Sequence, residues 1–321
     1  MNTVAFLSPV QAQLQLVEAR LHAQADERHA DLRAALEQIL AAGGKRIRPT
    51  LGLLVGEMLG GPEDRLVTLG AAVELLHTAT LVHDDLIDGS LLRRGTPTLN
   101  ARWSPAATVL TGDFLFARAA KLAAETGNLP LMELFAETLA IIVNGELNQL
   151  FSGRGVIGRE TYEKRIHAKT ASLFEMTARA AAMISPAAEP AVEAMRQFGY
   201  ETGMAFQIVD DVLDFSGQPA ALGKPIGSDL LSGLVTLPAI YYAEEFPDDP
   251  DVKSLADGGW ANQERMARLV ESIRKTDAVA LAMREATRHA ERALARLEPF
   301  DAGPEREALE NLAKFIVDRK V

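Results

Sequence analysis

Two short segments each place three aspartates inside an otherwise apolar run of the chain. Leu81-Val-His-Asp-Asp-Leu-Ile-Asp88 has them at positions i, i+1 and i+4, and Gln207-Ile-Val-Asp-Asp-Val-Leu-Asp214 repeats that spacing. On a helix, the first and last aspartate of each segment lie one turn apart on the same face. Like charges at this spacing repel, and Asp is a poor helix former away from a cap. Each cluster therefore needs a cation to neutralise it.

The cation that suits two such clusters is Mg²⁺, which takes oxygen ligands from one or two carboxylates and from substrate phosphates. A single Asp-Asp-x-x-Asp is equally typical of a solvated helix face. The repetition, with a basic segment after each copy, favours the metal interpretation.

Helical periodicity of apolar residues runs through nearly the whole chain, without convincing strand alternation. Glycine and proline cluster at the expected helix junctions, as in Gly43-Gly44 and Gly60-Gly61-Pro62. The 321 residues are 48% hydrophobic, which is enough for a large core. We predict an all-α fold, a bundle of ten or more helices, formed by one domain over residues 1–321.

Charge and cysteine content exclude several classes of protein. The formal net charge of −11 argues against a nucleic-acid partner. Cysteine is absent, which excludes disulfides and thiolate metal sites and fits a reducing compartment. The N-terminal segment lacks the charged and apolar regions of a signal peptide, and no apolar run reaches the ~20 residues of a membrane span. We therefore expect a soluble cytoplasmic protein without a transmembrane segment.

Basic residues are concentrated locally despite the acidic balance. Ala42-Gly-Gly-Lys-Arg-Ile-Arg-Pro49 combines two glycines, which allow close approach of an anion, with three cations. Lys45, Arg46 and Arg48 can contact phosphate oxygens there, the arginines in a bidentate manner. A helix C-cap with cations that complement the helix dipole is the alternative.

Further polar residues flank the two aspartate clusters. Taken together with the apolar helices, they indicate a site for an amphiphilic diphosphate whose head is held by metal and cations and whose tail enters a hydrophobic tunnel. These residues are His77, Arg93, Arg94, Lys169, Thr170, Phe206, Gln207, Lys224 and Asp229.

The ordered set of motifs resembles the all-trans isoprenyl (polyprenyl) diphosphate synthases over nearly the whole length of the chain. The resemblance implies an all-helical fold around a central cavity, usually a homodimer. It also implies an enzyme that uses Mg²⁺, three ions with bound diphosphate, to condense isopentenyl diphosphate with an allylic diphosphate. The matching segments are Gly43–Pro49, Glu74–Asp88, Arg93–Pro97, Thr111–Asp113, Lys169–Thr170 and Phe206–Asp214.

The resemblance also assigns roles to single residues. The metal ligands would be Asp84, Asp85, Asp88, Asp210, Asp211 and, through water, Asp214. The isopentenyl diphosphate site would comprise Lys45, Arg48, His77 and Arg94, and the allylic diphosphate would contact Arg93, Lys169 and Lys224. Thr170 and Gln207 would line the cationic carbon, and Phe206 would lie near the incoming alkene.

Product length should depend on the residues below the first cluster. Ala79 and Thr80 lie one turn before Asp84, where shorter-product members of the family carry bulky aromatics, and Leu76 lies a further turn away. One turn rises about 5.4 Å, roughly one isoprene unit, so small residues here predict a long-chain product of about thirty to forty-five carbons. Geranylgeranyl diphosphate, with about twenty carbons by the same measure, is the alternative.

One position departs from the family pattern. After the second cluster the family commonly has Gly-Lys-x-Thr-Leu-Pro, whereas this chain reads Gly233-Leu-Val-Thr-Leu-Pro238. Leu234 therefore removes one cation near the allylic diphosphate, which should slow ionisation of that substrate.

Two alternatives come from other functional classes. A terpene cyclase shares the all-α fold and the first cluster, but it has a different second motif and no use for Lys45, Arg48 and His77. A catalytically silent regulatory subunit of a heteromeric synthase typically loses aspartates from one cluster. Both clusters are complete here, and only Leu234 supports that second alternative.

Overall fold

The computed structural model describes residues 5–25, 29–41, 44–93, 95–151, 155–216 and 225–319. These residues are predominantly α-helical, which confirms the predicted fold class with more than ten helices. The α-helices are α1 Gln11–His22, α2 Ala30–Ala41, α3 Ile47–Met58, α4 Glu63–Ile87, α5 Pro105–Glu125, α6 Leu129–Phe151, α7 Arg159–Ile166, α8 Ser172–Ile184, α9 Glu189–Ser216, α10 Ser228–Leu231, α11 Leu237–Glu245, α12 Pro250–Ala256, α13 Gln263–Arg274, α14 Ala278–Ala295 and α15 Pro304–Asp318.

Shorter elements connect these helices. A π-helix, His167–Ala171, lies between α7 and α8, and 3₁₀ helices span Ala5–Val10, Ala23–Ala25, Leu99–Ala101 and Gly259–Ala261. Within the described ranges, the β-structure is one antiparallel hairpin of β1 Leu92–Arg93 and β2 Thr96–Pro97.

The chain forms two compact units, and each is assembled from separated segments. The division into units does not test the single domain over residues 1–321, which stays a prediction. The first unit comprises Met1–Thr138, Leu173–Arg196 and Leu297–Asn311, and the second comprises Leu139–Ser172, Gln197–Arg296 and Leu312–Val321.

Helix α4 is the core element of the first unit and packs against α1, α3 and α5. Its residues from Leu66 to Leu76 are all buried, because nearly all of them are apolar or small on every side of the helix, and the exception Glu74 is paired with Arg46. Glu63 and Asp64 in its first turn complement the helix dipole, and the helix ends at Ile87, before Gly89 in the left-handed region (φ 63°). By length and composition α4 could cross a membrane, but 78% of its most apolar window is buried inside the protein.

The core of the second unit is formed by the C-terminal half of α9 with α11, α13 and α14. Phe215, Leu230, Ile240, Leu269 and Ile273 are almost completely buried there. The charged faces of α13 and α14 lie outside this core, in agreement with their amphipathic sequences.

Candidate active site

The first aspartate cluster occupies the C-terminal end of α4. Asp84 is half-buried, Asp85 is buried and Asp88 is exposed. The backbone N–H of Asp88 donates to the Asp84 carbonyl at 2.8 Å, and that of Ser90 donates to the Asp85 carbonyl at 2.8 Å, so the helix ends within the cluster. A helix C-terminus carries partial negative charge, which adds to the charge of the three carboxylates. The local field therefore favours a cation at this end of α4.

The hairpin after α4 supplies one such cation. Arg93 binds Asp85 with both ends of its fork: its Nε lies 2.9 Å from Oδ1 and 3.1 Å from Oδ2, and a terminal nitrogen lies 2.8 Å from Oδ1. Gly95, with φ of 76°, allows the tight turn between the strands, and Thr98 Oγ1 fixes the hairpin by donating to the Ser90 carbonyl at 2.7 Å. Asp85 is thereby compensated within the protein. Arg94, predicted to bind isopentenyl diphosphate, lies outside the described residues.

His83 anchors the same end of α4 to α5, a role that the sequence analysis missed. Its Nε2 lies 3.1 Å from the Val109 carbonyl oxygen and 3.6 Å from an Asp113 carboxylate oxygen. A Cβ on Gly112 would lie 2.2 Å from that Nε2, so only glycine leaves room for the ring. A glycine in the interior of a helix was the available signal, because it costs helix stability unless close packing requires it.

Three predicted contacts to isopentenyl diphosphate lie in the first unit. Lys45 is exposed just before α3, and Arg48 lies in the first turn of α3 with its guanidinium carbon 4.7 Å from the centre of the Phe174 ring. His77 is half-buried on α4. The Arg46 guanidinium, between Lys45 and Arg48 in sequence, binds protein carboxylates on two helices, Glu18 on α1 and Glu74 on α4.

The second aspartate cluster lies near the end of α9, and its three carboxylates have different surroundings. Asp210 is half-buried, and its Oδ1 lies 3.0 Å from Nη1 of Arg319. Asp214 is buried, and it accepts hydrogen bonds from the Ser228 hydroxyl at 2.8 Å and from the Asp229 backbone N–H at 3.2 Å. Asp214 therefore fixes the start of α10 against the end of α9.

Asp211 belongs to a buried hydrogen-bond network. The Tyr162 hydroxyl donates to its Oδ2 at 2.7 Å, and Gln207 Nε2 donates to its Oδ1 at 2.8 Å. The Thr170 hydroxyl in turn donates to Gln207 Oε1 at 2.6 Å. Burial raises the pKa of Asp211 to about 7. The negative charge of Asp229 also raises this pKa, whereas the hydrogen bonds from Tyr162 and Gln207 lower it. Thr170 and Gln207, both predicted to line the cationic carbon, are thus in direct contact.

Arg319 is a second residue that sequence analysis missed. Besides its contact with Asp210, it donates to the Phe206 carbonyl at 3.0 Å, and its guanidinium lies 4.1 Å from the centre of the Phe206 ring. It connects the end of the chain to the second cluster, but its position more than a hundred residues away gave no signal in the sequence.

The π-helix His167–Ala171 carries two predicted site residues, Lys169 and Thr170. Lys169 Nζ lies 2.8 Å from Glu146 Oε1 on α6, an unpredicted partner that holds the ammonium group. The wider π-helical turn rotates the side chains that follow it about the helix axis. Such turns are frequent at functional sites. Lys224, the third predicted contact to the allylic diphosphate, lies outside the described residues.

Close packing of α6 against this π-helix gives a testable prediction. A Cβ on Gly145 would lie 2.6 Å from the Cβ of Ala168, an atom that no rotamer change can move away. We expect Gly145→Ala to displace Lys169 and Thr170 and to lower kcat about tenfold or more, since small misplacements of catalytic groups are costly. Gly158→Ala is the matched control, because a Cβ there meets nothing within 4 Å. Wild-type kinetics of Gly145→Ala would contradict the prediction.

The residues predicted to set product length lie along α4. Ala79 and Leu76 are completely buried, and Thr80 is half-buried with its hydroxyl donating to the His77 carbonyl at 2.7 Å. Leu234, which replaces the usual lysine, is half-buried in the loop after α10, and its N–H donates to the Asp229 carbonyl at 2.8 Å.

The described residues place the predicted site in two sets, one in each compact unit. No three His, Asp or Glu side chains among these residues converge into a complete metal site. The first set is Lys45, Arg48, His77, Asp84, Asp85, Asp88 and Arg93, and the second is Lys169, Thr170, Phe206, Gln207, Asp210, Asp211 and Asp214.

Comparison with known proteins gives the class of this one. The family model for polyprenyl synthetase matches residues 29–273. The chain is 38% identical to heptaprenyl diphosphate synthase component 2 of Geobacillus stearothermophilus, over 99% of both chains, and 34% identical to octaprenyl diphosphate synthase of Escherichia coli, over 88% of both. A crystal structure of polyprenyl synthase from Caulobacter crescentus, complexed with calcium and isoprenyl diphosphate, superposes with a TM-score of 0.92 at 34% identity, covering 99% of this chain and 98% of that one.

The chain belongs to the polyprenyl synthetase family, and it is a prenyltransferase. This confirms the resemblance, the enzyme class and the helical fold that the sequence predicted. The relative that was crystallised with calcium and isoprenyl diphosphate indicates that a divalent ion takes part in this family.

Proposed function

We propose that this protein condenses isopentenyl diphosphate with an allylic diphosphate, in a Mg²⁺-dependent reaction, to make a longer all-trans polyprenyl diphosphate. One observation supports this most strongly. Both aspartate clusters are complete, and in each of them some carboxylates are fixed by protein donors while others remain accessible to solvent. A helical bundle without such a reaction would have no use for that division.

The local contacts divide the six aspartates into two groups. Asp85, Asp211 and Asp214 accept hydrogen bonds from Arg93, from Tyr162 and Gln207, and from Ser228 with the Asp229 backbone, so they orient the clusters. Asp84, Asp88 and Asp210 are more accessible to solvent and would hold the metal, with Oδ1 of Asp210 also in contact with Arg319.

Bound Mg²⁺ would supply Lewis-acid stabilisation of the negative charge that develops on the leaving diphosphate. Arg93 and Lys169 would stabilise the same charge with hydrogen bonds from their cationic groups. Lys224 is proposed as a third cation that contacts the same diphosphate. Thr170 and Gln207, held against each other at 2.6 Å, would present oxygen dipoles to the allylic cation. Lys45, Arg48, His77 and Arg94 would bind isopentenyl diphosphate, with Phe206 beside its double bond.

The product is proposed to be long-chain, about thirty to forty-five carbons at one isoprene unit per helix turn. The small residues Ala79 and Thr80 favour this length. Relatives named heptaprenyl and octaprenyl diphosphate synthase point in the same direction. Geranylgeranyl diphosphate synthase remains the alternative, and the cytoplasm is the proposed location.

A heteromeric synthase is the second candidate, because the Geobacillus stearothermophilus relative is named as component 2. In that case this chain would need a partner subunit for elongation. Leu234, in place of the family's lysine, is compatible with a weakened site in the isolated chain.

The test is incubation of the purified protein with Mg²⁺, labelled isopentenyl diphosphate and each allylic primer in turn, followed by sizing of the products. Elongation by the protein alone supports the synthase. Cyclic hydrocarbon products would indicate a cyclase, and inactivity that a second subunit relieves would indicate the heteromer.

We also propose a homodimer, in which α6 contacts its copy. One face of α6 exposes apolar side chains at helical spacing, and Phe151 at its end is 84% exposed. Exposed apolar stripes of this length mark interfaces, and the commonest oligomer is a two-fold dimer in which one patch meets itself. The face consists of Ala136, Ala140, Val143, Leu147, Leu150 and Phe151.

Substitution within this face should separate the subunits. We expect Leu147→Glu combined with Leu150→Glu to yield a monomer in sedimentation velocity, because four carboxylates would be buried per dimer without partners. Leu16→Glu, at a similarly exposed position on α1, is the control and should leave the dimer intact. A wild-type protein that sediments as a monomer would refute the proposal.

A further inference from the structure

The backbone of Arg46 is unusual in the described part of the chain. It is the one non-glycine residue there with a positive φ, 46°, and it directly precedes α3. Side chains with a Cβ rarely adopt the left-handed region, so surrounding contacts must hold this residue in place.

Those contacts come from the guanidinium group. Nη1 lies 2.7 Å from Glu74 Oε1 on α4, and Nη2 lies 3.1 Å from Glu18 Oε2 on α1. Nε also donates to Glu18, and Nη2 donates to the Leu40 carbonyl in α2 at 3.3 Å. The side chains of Arg46 and Glu74 are only 13% and 8% exposed. A single arginine fork therefore joins the segment before α3 to three other helices.

The position of Glu74 connects this network to the substrate site. Glu74 precedes His77 by three residues, so the two lie on the same face of α4. Lys45 directly precedes Arg46 in sequence, and Arg48 is the second residue of α3. The Arg46–Glu74 pair thus sets the distance between the cations of the Lys45–Arg48 segment and His77.

We propose that Arg46 is a positioning residue that organises the isopentenyl diphosphate site and does not itself bind phosphate. The inference rests on the proposed function, because that function assigns Lys45, Arg48 and His77 to this substrate. Lysine would replace it only in part, since its compact ammonium group lacks the planar fork that reaches Glu18 and Glu74 from separate nitrogens.

Kinetics of four variants test the proposal. We expect Arg46→Met to raise the KM for isopentenyl diphosphate about tenfold or more, with kcat and the KM for the allylic substrate within about threefold of wild type. Glu74→Gln should reproduce this separation, and Arg46→Lys should fall between. Glu18→Gln is the matched control: it weakens the contacts of Arg46 with α1 but leaves the Arg46–Glu74 pair to α4 in place. It should lower Tm and change the KM for isopentenyl diphosphate much less than Glu74→Gln does.

The outcomes separate this proposal from the function on which it rests. A wild-type protein that does not incorporate isopentenyl diphosphate overturns the proposed function and this inference with it. An active wild type whose Arg46→Met and Glu74→Gln variants leave both KM values unchanged, or change them equally, shows a structural role only, with or without a loss of Tm. Should Arg46→Met fail to fold, comparison of Glu74→Gln with Glu18→Gln still tests the proposal. The KM for isopentenyl diphosphate should rise in the first variant and stay much closer to the wild-type value in the second.

Discussion

Asp84→Ala is expected to lower kcat about a thousandfold or more and to leave the fold intact. Asp84 is half-buried in the last turn of α4, where its oxygens would hold the metal that binds diphosphate. Its removal takes away a ligand, but it also relieves repulsion by the neighbouring carboxylates and by the negative end of the helix dipole. The Tm should therefore stay constant or rise slightly, while turnover of labelled isopentenyl diphosphate collapses.

Two other aspartates on α4 make this prediction specific. Asp64, in the first turn, has an 88% exposed side chain and an ion pair with Arg20, so Asp64→Ala should leave kcat unchanged. Asp85→Asn breaks the bidentate contact with Arg93, so it should lower both kcat and Tm. Near-normal turnover of Asp84→Ala would refute the metal assignment, and equal losses in all three variants would indicate general damage to α4.

The residues that could be predicted from the sequence are those whose signal is local. The spacing of the aspartates depends only on helix geometry, and the apolar character of α4 follows from its own residues. Lys169 and Thr170 were found through a short motif. Their placement on a π-helix was not predicted, because periodicity of apolar residues does not distinguish one extra residue in a turn.

The residues that could not be predicted act through partners far away in sequence. Tyr162 and Glu146 hold Asp211 and Lys169, respectively, and neither stands in a recognisable motif with its partner. Arg46 shows the complementary problem. It lies between two cations in one short segment, so the sequence suggested phosphate contact for it, whereas Glu18 and Glu74 bind it inside the protein. Side-chain direction within a loop depends on tertiary partners, and no local pattern contains that information.

Product length should respond to the volume of the side chain at position 79. We expect Ala79→Phe to shorten the main product to about fifteen or twenty carbons, because a phenyl ring one turn below Asp84 would block a chain that extends along α4. Leu76→Phe, a further turn away, should give an intermediate length. The measurement is the size distribution of products from labelled isopentenyl diphosphate at matched turnover.

Stability measured on the same variants distinguishes a tunnel from a solid core. Ala79 is completely buried, so a phenyl ring must either enter space that the growing chain uses or press against packed side chains. Overpacking would cost about 1–3 kcal/mol and lower Tm by several degrees, whereas a ring that lies in a tunnel would cost little. A short product at unchanged Tm therefore supports the tunnel beside α4. A folded Ala79→Phe protein with an unchanged product distribution would place the growing chain elsewhere, and Thr80 and Leu76 would then lose their proposed role as well.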